Sequence, residues 1–428
     1  MGQTAAEAGK ADRAEKAQPN KLTSSYWRVW WANTISSVGD GTVVTAMPLL
    51  AVTLTRDPRL IAAVSAAFYL PWLLFSLPAG VWVDRYDRAK LMWCAQAVQA
   101  AVVALIAILI ALHAADVAVL FAGGLLLGSA EVIFSNAAQS VLPQLVPAEL
   151  LPKANGNLQV SLTVGETFVG PPVGSVLFAA ARALPFGLDA GSFAVSAALL
   201  RGLPRNGLTG NGLTADGGTS TGELQGRMAA RIAEGLRWLF GHRLLRVVAV
   251  LLGVSNFANQ LGQATLVLLA TQTLHSGVGG YGLLWTASAV GSIIGGLTNP
   301  AVTRRIGMLP SLIIAMAAFT AVFAGIGLSP NAIVLGIIMA CDGYFVTMWN
   351  VVTISLRQQI VPTELLGRVN SAYRMIGWGL MPLGAAASGF VARAGGLRAP
   401  YLAAAVICGL TLAAALPLLL RSRPQQTP

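Results

Sequence analysis

Charge is what this chain has least of. Only 11% of its 428 residues are Asp, Glu, Lys or Arg, against 55% hydrophobic, whereas a soluble domain carries about 25% charge. The mean hydropathy is +0.67. A soluble enzyme of this length could not cover its surface with so few charges, and the same figures exclude collagen, coiled coil and a disordered chain. Acids are scarcer than bases, 17 against 28, giving a net charge of +11. Bases this thinly spread build no phosphate-binding face, which excludes nucleic acid as a partner. Three cysteines make no disulfide framework. Cys94, Cys341 and Cys408 each sit inside an apolar run and read as small buried hydrophobes. His113, His242 and His275 form no HxxxH pair, so no metal is expected. The absence of a GxSxG elbow and of a P-loop sets aside a membrane hydrolase and ATP-driven pumping, and no cofactor is expected.

What is present is a series of apolar runs near 20 residues, the length that crosses a bilayer. The first 21 residues are polar, without an apolar core, and read as a disordered tail rather than a signal peptide. Spans follow near 27–55, 60–83, 89–112, 117–140, 154–180 and 184–203. A Gly/Thr/Asn-rich linker at 205–222 interrupts the series, and 223–241 reads as an amphipathic helix with Arg227, Arg231 and Arg237 on its polar face. Six more spans follow near 244–273, 280–302, 308–328, 331–353, 368–393 and 399–420. The expectation is an all-α polytopic membrane protein. It has a tail at 1–21, a six-helix bundle at 22–204, a cytoplasmic linker at 205–242, a second six-helix bundle at 243–422 and a tail at 423–428. With twelve spans, 23 of the 28 basic residues fall on the face of the termini and five on the other. The positive-inside rule then places both termini in the cytoplasm. Tyr26, Trp27, Trp30 and Trp31 suit an interfacial belt at the start of span 1.

The two halves resemble each other. Residues 142–155 read LPQLVPAELLPKAN and residues 357–370 read RQQIVPTELLGRVN, with seven of 14 positions identical at a spacing of 215. Asn33, Ser36, Ser37, Gly39 and Asp40 in span 1 align with Asn256, Asn259, Gln260, Gly262 and Gln263 in span 7. Two bundles of the same orientation are the arrangement of transporters built from parallel repeats.

Polar side chains are costly in a bilayer and face a partner or a wet cavity. Asn33, Ser36, Ser37 and Asp40 share one helical face, and Asn256, Asn259, Gln260 and Gln263 repeat the spacing. Glu131, Ser135 and Gln139 mark span 4; Asp342, Trp349 and Thr353 mark span 10. The functional reading is a central cavity lined by spans 1, 4, 7 and 10, with Asn33, Ser37, Asn256, Asn259, Gln260 and Gln263 in its wall. The plainer reading is interhelical hydrogen bonding. Five acids lie within spans: Asp40, Glu131, Glu166, Asp189 and Asp342. Arg374, near the end of span 11, cannot pair with all of them, so some must be protonated, hydrated or neutralised by a cationic ligand. Asp40 and Asp342 are the first candidates for proton coupling, followed by Glu131 and Glu166. Asp189 reads as a solvated or helix-start residue. Tyr69, Trp72, Trp285, Trp349 and Trp378 could stack on a substrate but more often pack against neighbouring helices.

Residues 80–90, GVWVDRYDRAK, resemble the loop 2–3 signature of the major facilitator superfamily. Gly80, Asp84, Arg85, Arg88 and Lys90 match, and Asp87 stands where that family often has Gly. The resemblance implies that these residues lock the two bundles on the cytoplasmic side and gate their alternation. Gly165, Gly170, Pro171 and Gly174 resemble the antiporter segment of drug exporters, one residue longer than usual and with Ser175 in place of the last Gly. Gln359, Pro362, Glu364, Gly367, Arg368, Asn370 and Gly384, with EGLRWLFGHRLLR before span 7 and LDAGSF in span 6, resemble twelve-span exporters of the enterobactin and macrolide type over residues 22–422. The resemblance implies the major facilitator fold, its pseudo-twofold axis along the membrane normal. The expected function is proton-coupled export of a hydrophobic or amphiphilic small molecule, such as a drug, antibiotic or siderophore, from the cell membrane. The expected partners are a small-molecule substrate, protons and the lipid bilayer, and the chain is expected to act as a monomer. Alternatives are a proton-independent facilitator or importer of a small metabolite and, from another class, a polytopic membrane enzyme.

Overall fold

A computed structural model describes residues 22–147, 150–203 and 234–421. The expected tails at 1–21 and 423–428, the linker at 205–222, Arg227 and Arg231 lie outside these residues. Short-range chemistry sets where the helices start. Thr23, Asp57, Asp87, Asp116 and Asn331 each accept a backbone N–H within the first turn, as capping residues do. The helices are α1 (Ser24–Leu54), α2 (Pro58–Arg85), α3 (Arg88–Ala111) and α4 (Val117–Leu145). Helix α5 is interrupted: Leu151–Leu162, a π-helical turn at Thr163–Val169, then Gly170–Ala180. Helix α6 is Leu184–Arg201. Residues 234–241 are helical and carry Arg237. Helix α7 is Arg243–Gln263, continued by Leu266–Leu268 and a second π-helical turn at Leu269–Thr273. Then come α8 (Gly277–Ile306), α9 (Met308–Leu328) and α10 (Ala332–Ile360). Helix α11 runs as Thr363–Gly379 and Met381–Gly395, and α12 is Ala399–Arg421. Among the described residues there is no strand.

Eleven of these helices are long and apolar enough to cross a membrane. The twelfth, α6, has 18 residues including Asp189 and Arg201. At 1.5 Å per residue it reaches about 27 Å, close to the hydrocarbon thickness. The packing repeats between halves. In the first, α1 packs on α5 and α6, α2 on α4, and α3 on α4 and α6. In the second, α7 packs on α11 and α12, α8 on α10, and α9 on α10 and α12. Adding six to each number maps one scheme onto the other, which is the pseudo-twofold relation of two six-helix bundles. The halves meet along two seams, α2 with α11 and α5 with α8.

Because the helix count is even, both chain ends lie on one face, called here the terminal face. At the far face, Asp57 pairs with Arg59 at 2.8 Å and with Arg393 of the other half at 3.6 Å. Arg59 donates its side-chain and backbone N–H groups to Asp57, and these bonds, with the nearby Arg393 charge, hold this carboxyl at about 2. Along the α2–α11 seam the rings of Trp72 and Trp378 lie 4.4 Å apart. The α5–α8 seam is closed only in part. Gly170–Ala180 packs on α8, whereas Leu151–Leu162, nearer the terminal face, does not appear among the helix pairs in substantial contact with α8.

Two expectations change on the fold, for the cysteines and for Asp189, and one holds, the packing of Trp349 against a neighbouring helix. Cys408 is buried, but Cys94 is half-buried and Cys341 exposed, because Cys341 stands on an outer face of α10. Trp349 packs on Phe319 in the second half. Asp189 is 1% exposed, not solvated. Gly39 has no Cβ, and the room this leaves on α1 is filled by Asp189 and Ser192 of α6.

Candidate functional site

Two adjoining cavities occupy the middle of the molecule. The first, of about 320 Å³, lies in the first half and is capped by Trp378 and Met381 of α11. Asp40, Glu131, Glu166 and Asp189 all line it, from four different helices, and no basic side chain among the described residues lines it. Each carboxylate is placed by a local feature. Asp189 fills the space opposite Gly39, the residue before Asp40 on α1. Glu131 Oε2 accepts a hydrogen bond from Gln99 Nε2 at 3.2 Å, and Gln99 Oε1 accepts one from Gln96 Nε2 at 3.2 Å. Ser192 Oγ donates to Asp189 Oδ1 at 3.2 Å. Glu166 rides on the π-helical turn of α5, a distortion that is frequent at functional sites. The rest of the wall is apolar and aromatic, including Phe68, Tyr69, Trp72 and Met47.

The second cavity, of about 840 Å³, lies between the halves. Its wall is more polar, with Asn259, Gln260 and Gln263 from α7, Ser288 and Ser292 from α8, and Asp342, Thr347 and Asn350 from α10. Asp342 is 7% exposed. Its Oδ1 and the Oε1 of Gln263 are buried acceptors without a hydrogen-bond partner among the described residues. Val44, Pro48, Ser65, Tyr69 and Met381 belong to both cavities, and the Tyr69 hydroxyl faces the Gln260 amide at their boundary.

The structure therefore distributes the expected site differently. Asp40, Glu131 and Glu166 share the first cavity, joined by Asp189, while Asp342 stands alone in the second. They do not share one cavity lined by the first and fourth helices of each half: Val44 and Pro48 of α1, Ser65 and Tyr69 of α2 and Met381 of α11 form the boundary between the two cavities. Asn259, Gln260 and Gln263 line the second cavity. Asn33, Ser37 and Asn256 line neither. Ser37 donates to Ser161 O on α5 at 3.4 Å, and Asn256 donates to Gly377 O on α11 at 2.9 Å. These side chains hold α1 to α5 and α7 to α11, the same pair of contacts in each half. Gln96 and Gln99 were missed; two amides three residues apart within span 3 were their signal.

Gly165, Gly170, Pro171 and Gly174 form the face of α5 that touches α1. Gly41 lies against Gly165 and Gly170, and Thr45 Oγ1 donates to Pro171 O at 3.2 Å. In the loop between α2 and α3, Gly80, Asp84 and Arg85 fall in the last turns of α2, and their side chains lie outside the described residues. Arg88 Nη1 donates to Ser140 O on α4 at 3.2 Å. Asp87 Oδ1 accepts from the Lys90 backbone N–H at 3.0 Å and caps α3, which explains a carboxylate at a turn position where Gly is more usual. Among the described residues no cluster of three or more His, Cys, Asp or Glu is placed to hold a metal.

Comparison with known proteins fits this architecture. The family model described as transmembrane secretion effector matches residues 21–427. The multidrug efflux pump Tap of Mycobacterium tuberculosis is 25% identical over 402 residues, covering 91% of this chain and 93% of the pump. An uncharacterised MFS-type transporter of the same species is 25% identical over 378 residues, 82% of this chain and 81% of its own. The nucleoside transporter NupG superposes with a TM-score of 0.72 at 13% identity, covering 92% of this chain and 99% of NupG. A bacterial homologue of the iron transporter ferroportin, in its inward-facing state, superposes with a TM-score of 0.71 at 17% identity, covering 94% and 100%. The solved structures speak for the fold alone, and the match along nearly the whole chain speaks for the family: this chain belongs to the transmembrane secretion effector family of major facilitator transporters.

Proposed function

We propose that the chain exports a hydrophobic or amphiphilic small molecule across the cell membrane in exchange for protons. The observation that carries this reading is the first cavity: four carboxylates on one wall system, with no basic side chain among the described residues that line it. Carboxylates in such a place must share protons or hold a cation. Both states are exchangeable, and exchange between them is what coupling requires. The 25% identity to a multidrug efflux pump over most of both chains supports the outward direction. The excess of basic residues on the terminal face supports its assignment to the cytoplasm.

The second cavity supports a substrate site between the halves, where rocking of the two bundles would expose it to each face in turn. Its volume is in the range of small-molecule sites. Asp342 and Gln263 offer acceptors to a ligand's N–H or O–H groups. The turn between α2 and α3 then serves as the cytoplasmic gate, with 22–204 and 243–422 as the moving bundles of a monomer.

The test uses protein reconstituted in liposomes with a pH-sensitive dye inside and a panel of fluorescent drugs outside. A substrate should drive proton movement in the wild type. Glu131→Gln and Asp40→Asn should abolish it while size-exclusion profiles stay unchanged. Proton movement retained in both variants, or absent with every substrate that the protein demonstrably transports, would overturn the coupling.

A further inference from the structure

We infer that the second cavity opens sideways into the bilayer, through an apolar portal between α5 and α8 that admits the alkyl tail of a single-chain amphiphile dissolved in the membrane. The portal is a third space of about 350 Å³. Gln159, Thr163, Phe168 and Ile293 line both it and the second cavity, so the two are continuous. Val160, Val164 and Val169 complete its wall, which has almost no polar surface. Val160 is 64% exposed and Ile293 44% exposed. On a helix that crosses a membrane, exposed Val and Ile face lipid.

The packing explains why the opening is here. Gly170–Ala180 of α5 lies against α8, where Gly282 comes close to Ser175 and Pro171. The π-helical turn Thr163–Val169 then offsets the rest of α5, and Leu151–Leu162 loses that packing. A wedge opens toward the membrane leaflet nearest the terminal face. The pseudo-equivalent seam is filled: α2 packs against both segments of α11, and Trp72 meets Trp378. Only one side of the molecule therefore has a lateral opening among the described residues.

The sequence of wall chemistry indicates how a ligand would lie. Val160 and Val164 stand outermost, Gln159 and Thr163 at the junction, and Ser288, Thr347, Asn350 and Asp342 in the second cavity. An amphiphile fits with its polar head among the last group and its tail in the portal. This inference concerns the route of access, and it stands or falls separately from proton coupling.

The experiment places the full chain in lipid nanodiscs, with no pH gradient, and irradiates it with a twelve-carbon alcohol carrying a mid-chain diazirine. Adducts are mapped by mass spectrometry. Adducts at Ser288, Thr347 or Asn350, in addition to lipid-facing positions such as Leu297, are expected. Val164→Trp should cut the interior adducts at least tenfold and leave Leu297 labelling unchanged. Ile293→Trp, on the opposite wall, should do the same should Val164→Trp fail to fold. Val176→Trp, on bilayer-facing surface of α5 away from the portal, should change neither. Adducts confined to lipid-facing residues, or interior adducts indifferent to both portal substitutions, would overturn the inference. A two-chain phosphatidylcholine with the same diazirine should label the rim only; equal interior labelling by it would refute the single-chain occupant.

Discussion

The contact between α1 and α5 is tight enough for one methyl group to test it. Gly41 faces Gly165 within the π-helical turn and Gly170 immediately after it. A Cβ on Gly41 would stand 2.7 Å from Gly165 O, 2.8 Å from Gly170 Cα and 3.0 Å from Glu166 Cα. All three are backbone atoms, so no rotamer change relieves the clash. To regain ordinary carbon contact near 3.5–4.0 Å, the helices must part by roughly half an ångström or more. Overpacking of this kind costs about 1–3 kcal/mol, a factor of roughly 5–150 in the folded population. Replacing a helical Gly by Ala also gains up to about 1 kcal/mol from propensity, so the comparison must cancel that gain. Gly191→Ala in α6 is the same chemical change where a Cβ meets nothing within 4 Å. In reversible SDS unfolding in mixed micelles, Gly41→Ala should be less stable than Gly191→Ala by about 1–3 kcal/mol. It should also weaken proton coupling, because the turn that moves carries Glu166. Equal stability of the two variants, within about 0.5 kcal/mol, the spread of ordinary surface substitutions, would refute the reasoning.

Two more outcomes follow from groups outside the bilayer. Asp87→Ala removes the cap of α3 and should cost about 1 kcal/mol in the same unfolding titration; an unchanged midpoint would deny the cap any role. The Asp57 carboxyl is held at about 2, first by its hydrogen bonds from Arg59 and then by the charge of Arg393, below the ordinary unfolded value of about 3.9. A carboxylate lowered in the folded state stabilises above its unfolded pKa, and that contribution is lost as pH falls through the folded value. The far-face pairing should therefore be constant from pH 8 to pH 5 and fail only between about 4 and 2. Spin labels on Arg56→Cys and Ala394→Cys, in a background lacking the native cysteines, should keep their separation from pH 8 to 5 and widen with Arg393→Ala. A change of distance within that pH range would refute the assignment.

Helix number, order and repeat were legible in the sequence because each rests on local composition. A bilayer demands about 20 apolar residues per crossing, and the conserved spacing between 142–155 and 357–370 lies at helix ends that recur in both halves. The intramembrane acids were legible for the same reason, since a charge inside a span stands out. What they face was not. Asn33 and Asn256 share a stripe with cavity residues yet bond or pack between helices, because a stripe 100° wide can serve a neighbour and a cavity at once. Asp189 read as a helix-start residue because it lies five positions after Leu184. Its burial depends on Gly39 of α1, which is 150 positions away in sequence. The lateral opening depends on a π-helical turn, which is set by tertiary packing and leaves no pattern in composition.

The two seams sharpen a point about how a repeated fold acquires unequal halves. The pseudo-twofold relation exchanges α2–α11 with α8–α5, so backbone topology alone cannot make one seam closed and the other open. Side chains do. Trp72 and Trp378 fill the first, and Val160, Val164 and Ile293 leave the second unfilled. The same holds for the cavities. Asp40 and Gln263 occupy aligned positions of α1 and α7; Asp40 lines the first cavity and Gln263 the cavity between the halves. A carboxylate can take up and release a proton, whereas an amide can only donate and accept hydrogen bonds. The difference at this one repeated position puts a titratable group in the first cavity and a non-titratable one in the second. Four acids against one in the two cavities extend that difference from a single position to the whole wall. The repeated scaffold is near-symmetric, and its asymmetry lies in one π-helical turn and a small set of seam and cavity side chains.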